Sequence, residues 1–229
     1  MTSQRTAVII PALNEERSIG IVVSSMINHV DTIIVVDNGS TDRTPDVARN
    51  AGARVVLQRE RGYGAACLRG LYELSSNAPD VVLFMDGDAS DNPEDACDVL
   101  QCVIDGRADF CLGSRVAGVA DRGSLTPQQR FGNWLATHLI ALRWRVRYTD
   151  LGPLRALRWS ALQSLDMQDR TWGWTVEMQI KAARDGVRVE ELPVRYHKRI
   201  GTSKISGTVM GSVRAGVKII GTILRYAIV

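Results

Sequence analysis

The feature that most constrains the fold is an alternation. Short runs of mainly apolar residues at 6–10, 32–36, 54–57 and 81–85 are separated by longer stretches with helical periodicity. The runs are too short for helices. They carry no regular polar face, so they read as strands buried on both sides. A sheet buried on both faces needs helices above and below it, and strands alternating with helices imply mainly parallel pairing. The intervening helices are expected at 15–28, 44–51, 65–76 and 93–104, with a fifth short strand at 110–112. In the second of them Thr41 or Asp42 can cap and Pro45 suits the first turn. The expected class is α/β, a mainly parallel, Rossmann-like, doubly wound sheet flanked by helices.

The second half is less regular. A long helix is expected at 127–146, with Trp134, Leu135, Leu139 and Leu142 on its apolar stripe. Another follows at 175–185, stopped by Gly186, then a strand at 187–196 and an amphipathic helix at 209–228. At 229 residues the chain suits one domain with a substantial core. No internal repeat, low-complexity tract or linker divides it.

Composition narrows the class. Hydrophobic content of 45% and charged content of 23% are those of a globular protein. A net charge of +3 gives no reason to expect nucleic acid. From Arg184 onward, however, Lys and Arg far outnumber the three acids Asp185, Glu190 and Glu191. That basic surface suits phosphates or an anionic membrane. Cys67, Cys97, Cys102 and Cys111 form no Cys-x-x-Cys pair, so reduced buried thiols are expected rather than disulfides or a metal site. No apolar run reaches the ~20 residues that span a bilayer, and the polar N-terminus has no signal-peptide core. A cytoplasmic location is expected.

The chemistry gathers where strands end. In an open α/β sheet, ligands bind at the carboxyl ends of the strands. There the chain places Pro11-Ala-Leu-Asn-Glu-Glu16, Asp37 with the tight turn Asn38-Gly39, Arg61-Gly-Tyr-Gly-Ala65, and Asp86-Gly-Asp88. Two close carboxylates repel unless a proton or a cation neutralises them. A hard cation such as Mg²⁺ or Mn²⁺ does so and also accepts phosphate oxygens. Asp-Gly-Asp is also ordinary turn chemistry, and acids after a strand also start helices. Gly62 and Gly64 would let backbone N–H groups approach a phosphate at a helix N-terminus.

Taken in order, these segments resemble the family 2 glycosyltransferases with the nucleotide-sugar-binding GT-A fold. Within that family the chain looks most like the polyprenol-phosphate, or dolichol-phosphate, sugar synthases. The resemblance rests on Ile10-Pro-Ala-Leu-Asn-Glu15, Val36-Asp-Asn-Gly-Ser-Thr-Asp42, Gly62-Tyr-Gly-Ala65, Asp86-Gly-Asp88, Gly113-Ser-Arg115, Asp150-Leu-Gly-Pro-Leu-Arg155 and Arg199-Ile-Gly-Thr-Ser-Lys204. It divides the single domain into a nucleotide-binding half (1–115), an acceptor-binding half (116–204) and a C-terminal amphipathic helix (205–229).

The resemblance implies a metal-dependent, inverting transfer of a sugar from a nucleoside-diphosphate sugar to a polyprenyl phosphate or other lipid-linked acceptor. Pro11, Ala12, Asn14, Glu15, Asp37, Gly62, Gly64, Asp86, Gly87 and Arg115 would bind the nucleotide sugar. Asp86 and Asp88 would hold Mg²⁺ or Mn²⁺, with Asp88 catalytic through the cation. Asp150 and Glu177 are the candidates for a catalytic base near the acceptor. Arg199, Ser203 and Lys204 would hold phosphate groups. The membrane-spanning helices that some of these synthases carry at the C-terminus are not expected here.

Two other activities fit the same residues less fully. One is a soluble glycosyltransferase acting on a small hydroxyl or phosphorylated metabolite. The other is a sugar-1-phosphate nucleotidyltransferase, which would need a glycine-rich basic loop where Pro11-Ala-Leu-Asn-Glu-Glu16 stands. In the last helix Arg214, Lys218 and Arg225 fall beside the stripe Val209, Val213, Val217, Ile220, Leu224 and Ile228. Such a helix can lie peripherally on a membrane face, pack on the sheet or meet a second subunit.

Overall fold

The structure is a computed structural model describing residues 4–201 and 209–228. The four apolar runs form parallel strands β1 (Thr6–Ala12), β2 (Thr32–Asp37), β3 (Arg54–Leu57) and β4 (Val81–Phe84). Three further strands complete one sheet: β5 (Phe110–Ala120), β6 (Arg155–Arg158) and β7 (Val189–Tyr196). The order is β3-β2-β1-β4-β6-β5-β7. Only β6 runs against the others, antiparallel to both β4 and β5.

Residues alternate between the two faces of the sheet. Val8, Ile10, Val35, Leu83 and Met85 pack under α1 (Ile19–Met26), α2 (Thr44–Asn50) and α4 (Pro93–Ile104). Ala7, Ile9, Ile34, Val36, Val82 and Phe84 face α3 (Tyr63–Leu74), α5 (Pro127–Trp144), α7 (Trp174–Arg184) and α8 (Val209–Ile228). Between β6 and α7 lies the short α6 (Trp159–Ser164). Fully buried Trp174 meets Phe84 edge-on at 5.9 Å. A wholly buried aromatic of this size is worth about 3–5 kcal/mol against alanine.

Local chemistry sets the ends of the helices. Asn92 caps α4 by accepting from the N–H groups of Glu94 and Asp95, and Pro93 begins the helix. Thr126 and Gln129 form a reciprocal capping box at α5. α1 starts at Ile19 rather than at residue 15. Asn14 is left-handed (φ 53°), and the carbonyl of Glu15 turns the chain by accepting from Ser18 and Ile19 N–H.

Because β1 has β2 on one side and β4 on the other, the chain reverses direction across the sheet between β1 and β4. Ala12 is level with Asp37 and Ile9 with Phe84. The loops after β1, β2 and β4 therefore open into one crevice at the carboxyl edge, where doubly wound sheets bind ligands.

Candidate active site

Asp86 and Asp88 follow β4 directly. Asp88 is 2% exposed. Its Oδ1 accepts from the N–H (2.9 Å) and hydroxyl (2.5 Å) of Ser90, and its Oδ2 accepts from Arg199. Asp86 Oδ1 is buried with no hydrogen-bond partner. Burial, and then the charge of Asp88, push the Asp86 carboxyl up to about 7. A third carboxylate, Asp91, accepts from the Asp86 N–H at 3.2 Å, while its own Oδ1 is also orphaned. Burial and the two neighbouring carboxylates raise its pKa well above the ordinary carboxylate value.

Three carboxylates in six residues, Asp88 and Asp91 buried and Asp86 and Asp91 each with an orphaned oxygen, are an acidic pocket that a hard cation would satisfy. The segment bearing Arg199 is stitched to them. Ile200 N–H donates to the Asp88 carbonyl at 2.9 Å and His197 N–H to the Ser90 carbonyl at 2.8 Å.

Two cavities meet here. The smaller, about 500 Å³, is lined by Pro11, Ala12, Glu15, Gly62, Gly87 and Asp88 among others. The larger, about 2050 Å³, lies between α5, α8 and the outer part of β5. Tyr63, Asp86, Trp172 and Arg199 line both, so the cavities share a wall. The smaller suits a drug-sized or nucleotide-sized ligand, for which pockets run about 300–1,000 Å³.

Several expected binding residues hold the protein rather than a pocket. Asn14 Oδ1 accepts from Thr41 N–H, and Ser40 Oγ accepts from Asn14 N–H, so the β1 and β2 loops are cross-linked. Asp37 Oδ1 accepts from Ser40 N–H, closing its own turn. The glycine loop needs a larger correction. Three of its N–H groups are paired within the chain: Gly62 donates to Asn38 Oδ1, Gly64 to the Thr171 carbonyl and Ala65 to the Arg170 carbonyl. A Cβ on Gly64 would fall 2.0 Å from the Asp169 carbonyl oxygen, and one on Gly62 2.1 Å from that of Arg170. The close approach that demands glycine is to the chain itself.

The two candidate bases are also engaged. Asp150 is 1% exposed and binds Arg115 through both oxygens, at 2.7 and 2.8 Å, and accepts from the Arg115 N–H as well. Gly152 is required beside this pair, because a Cβ there would lie 2.9 Å from the Gly113 carbonyl oxygen and 3.2 Å from the Asp150 carboxylate. Arg115 lines the larger cavity, not the smaller. Glu177, also 1% exposed, accepts from Gln168 N–H, Asp169 N–H, Tyr226 hydroxyl and Lys181. In this arrangement it anchors α8 and the 168–169 segment. Arg199 takes its expected place beside the carboxylates, whereas Ser203 and Lys204 lie outside the described residues.

Residue reading along the chain passed over Tyr63, Asn38, Asp91 and Arg155. Tyr63 stands between the two glycines, and its hydroxyl partly offsets the upward shift of the Asp86 carboxyl. Asn38 ties the 58–62 loop down through the carbonyls of Gln58 and Glu60. Arg155 is wholly buried in β6, held by the carbonyls of Gly152 and Thr175. Burial lowers its pKa to about 10, and its nearest aromatic face is Phe110. Asp91 had a visible signal, a third carboxylate within the same short loop.

A switch-point crevice with buried carboxylates, a guanidinium and a nucleotide-sized pocket defines a protein built for a phosphorylated ligand. The chain belongs to glycosyl transferase family 2, whose model matches residues 7–165. An uncharacterized glycosyltransferase of Mycobacterium tuberculosis is 36% identical, over 94% of this chain and 96% of that one. A dolichyl-phosphate hexose transferase of Haloferax volcanii is 32% identical over 87% and 86%. An undecaprenyl-phosphate mannosyltransferase of Micrococcus luteus is 28% identical over 97% and 96%. In structure, the glucosyl-3-phosphoglycerate synthase of Mycobacterium tuberculosis, solved with Mn²⁺, UDP-glucose and phosphoglyceric acid, gives a TM-score of 0.78. That match covers 99% of this chain and 80% of the other at 22% identity, a likeness of GT-A fold.

Proposed function

We propose that this glycosyltransferase moves a hexose from a nucleoside-diphosphate sugar to a lipid-linked phosphate. The observation that carries the acceptor reading is the larger cavity. Its lining combines Arg199 at the shared wall, Arg115 and Lys198 with the apolar side chains of Val116, Val119, Phe131, Trp134, Val217 and Leu224. That combination suits a ligand with an anionic head and an apolar tail. Its lining carboxylates are Asp86, at the shared wall, and Asp150, which Arg115 holds through both oxygens. A hydroxyl acceptor would need a carboxylate able to take its proton. A phosphate acceptor is already anionic and needs only positioning.

The donor fits the smaller cavity, with its diphosphate toward Asp86, Asp88 and Arg199. The two carboxylates fit Mg²⁺ or Mn²⁺, which when bound would neutralise the leaving diphosphate. Among the described residues no group of three His, Cys, Asp or Glu side chains is arranged to hold a metal, so the diphosphate and water would complete the shell. Arg199 neutralises Asp88 in the free protein and is placed to move onto diphosphate oxygens. Trp172, common to both cavities, would separate sugar from solvent. The acceptor phosphate oxygen then forms the new bond to the anomeric carbon as the sugar–diphosphate bond breaks. One such displacement inverts the configuration.

The test is release of nucleoside diphosphate from donor sugars with Mg²⁺ or Mn²⁺, comparing polyprenyl phosphate, the matching polyprenol and phosphoglycerate. Stimulation by the polyprenyl phosphate alone is expected. Stimulation by phosphoglycerate and not by the lipid phosphate would replace the acceptor reading with a soluble one.

A further inference from the structure

The outward faces of α5 and α8 carry exposed apolar side chains, some of which also line the larger cavity. α5 exposes Phe131, Trp134 and Leu142, and α8 exposes Val217 and Leu224, each at least half accessible. Spacings of three, seven and eight residues put each set on one helical stripe. Phe131 packs on Trp134 at 5.9 Å and Trp134 on His138 at 4.6 Å, so the aromatic groups form one patch. Arg143 donates to the carbonyl of Ala227 at 3.2 Å, which brings the C-terminal ends of the two helices together. Arg143, Arg145, Arg147 and Arg225, all exposed, lie in the last turns of the two helices or just beyond the end of α5. Residues 122–149 and 205–229 contain no Asp or Glu.

Contiguous exposed apolar groups mark interaction surfaces, and charge decides the kind. Two acid-free segments that present aromatic and aliphatic side chains beside arginines complement a continuous negative surface. A protein partner would be matched by discrete polar groups of both signs. The pattern is that of interfacial helices, which sink apolar side chains among lipid headgroups and hold anionic ones with arginine. No helix among the described residues is long and apolar enough to cross a membrane.

We propose that the outward faces of α5 and α8 dock on an anionic lipid bilayer. Phe131, Trp134, Leu142 and Leu224 enter the headgroup region, and Arg145, Arg147 and Arg225 contact anionic headgroups. Phe131, Trp134, Val217 and Leu224 also line the larger cavity. Docking would thus set its open side against the membrane that holds a lipid acceptor. In that respect the inference deepens the acceptor reading, although binding to the bilayer does not require it.

The test is flotation of the full chain with vesicles of phosphatidylcholine, alone or mixed with phosphatidylglycerol, across a salt series. Binding to the mixed vesicles, lost at high salt, is expected. The variant Arg145→Glu/Arg147→Glu/Arg225→Glu should bind on the order of 100-fold more weakly. Leu142→Asp, which needs no change in charge cluster or cavity, should also weaken binding, and should do so if the triple variant fails to fold. Diphosphate release with a detergent-solubilised short-chain acceptor should be unchanged in both. Wild-type protein that ignores mixed vesicles, or binds both kinds equally, overturns the proposal. So does a result in which these variants only break a dimer seen by sedimentation, which would make the face an interface between copies. Vesicle binding without any response to polyprenyl phosphate would leave docking standing and remove the acceptor reading.

Discussion

The two cavities meet at Asp86 but are built by opposite means. The smaller is made of strand-end loops, stitched by side chain-to-backbone hydrogen bonds from Asn14, Asp37, Asn38 and Asp88. The larger is made of helix faces and the outer, bulged part of β5, where the register shifts between Ser114 and Val119. Rigid loops at the edge of a sheet fix charges to fractions of an ångström, which suits cleavage of a sugar–diphosphate bond. Helix faces change their lining by single side chains without disturbing the sheet, which suits choice of acceptor. The comparison predicts that substitutions in the smaller site cost turnover, while those in the supports around the larger cost stability or acceptor preference.

The largest expected effect breaks the first half of that comparison. Asp88→Ala should lower kcat/KM by on the order of 10³-fold, as for loss of a key charge-stabilising group. Its melting temperature should stay close to wild type, because Arg199 is partly exposed and can find solvent. Removing divalent cation from the wild type should match it. Full turnover by Asp88→Ala would reduce the carboxylate to the Ser90 turn that it also makes.

The second substitution tests the supports. Glu177→Gln leaves Lys181, 5% exposed, beside a neutral amide. Breaking a buried pair from one side costs about 3–5 kcal/mol, so denaturant midpoints should fall sharply. Turnover per folded molecule should change little. A large loss of kcat at unchanged stability would restore Glu177 as a catalytic group. The third is smaller. Gly64→Ala drives a methyl into the Asp169 carbonyl, and the 169–171 segment must shift. A loss of about 1–3 kcal/mol is expected, as for overpacking, measured as a lowered melting temperature. A neutral result would mean that the loop moves freely and would reopen its N–H groups to a ligand.

What was legible along the chain follows the same division. β1 to β4 are apolar enough to read alone, and the paired carboxylates declare themselves by spacing. β6 is hidden because Arg155-Ala-Leu-Arg158 has two cations in four residues. Arg155 is buried there with its guanidinium donating to the carbonyl of Gly152, three residues before it, and to that of Thr175 in α7. The roles of Asp150 and Glu177 were unreadable for a related reason. Their partners Arg115 and Tyr226 stand 35 and 49 residues away. Gly62 and Gly64 announced a close approach correctly in kind, but spacing cannot say whether a ligand or the chain's own backbone makes it. The acid-free stretches were visible from sequence, whereas the meeting of α5 with α8 was not.

The smallest effect sharpens the comparison at the shared wall. The Asp86 carboxyl titrates near 7 in the free protein, against an ordinary value of 3.8, mainly through burial and then through Asp88. Between these values the folded protein keeps a proton that the unfolded chain has lost. Folding is therefore favoured by this group at low pH, and its contribution is lost as pH rises from about 4 to about 7. The slope from one site stays below about 1.4 kcal/mol per pH unit. Asp86→Asn should flatten that part of the stability curve, measured by chemical denaturation of the metal-free protein. With Mg²⁺ or Mn²⁺ and a nucleoside diphosphate present, the wild-type dependence should reverse. Cation competes with proton for the same oxygen, so ligand stabilisation should grow as pH climbs through 7. A wild-type curve that is equally flat with and without the ligand would remove the cation from Asp86.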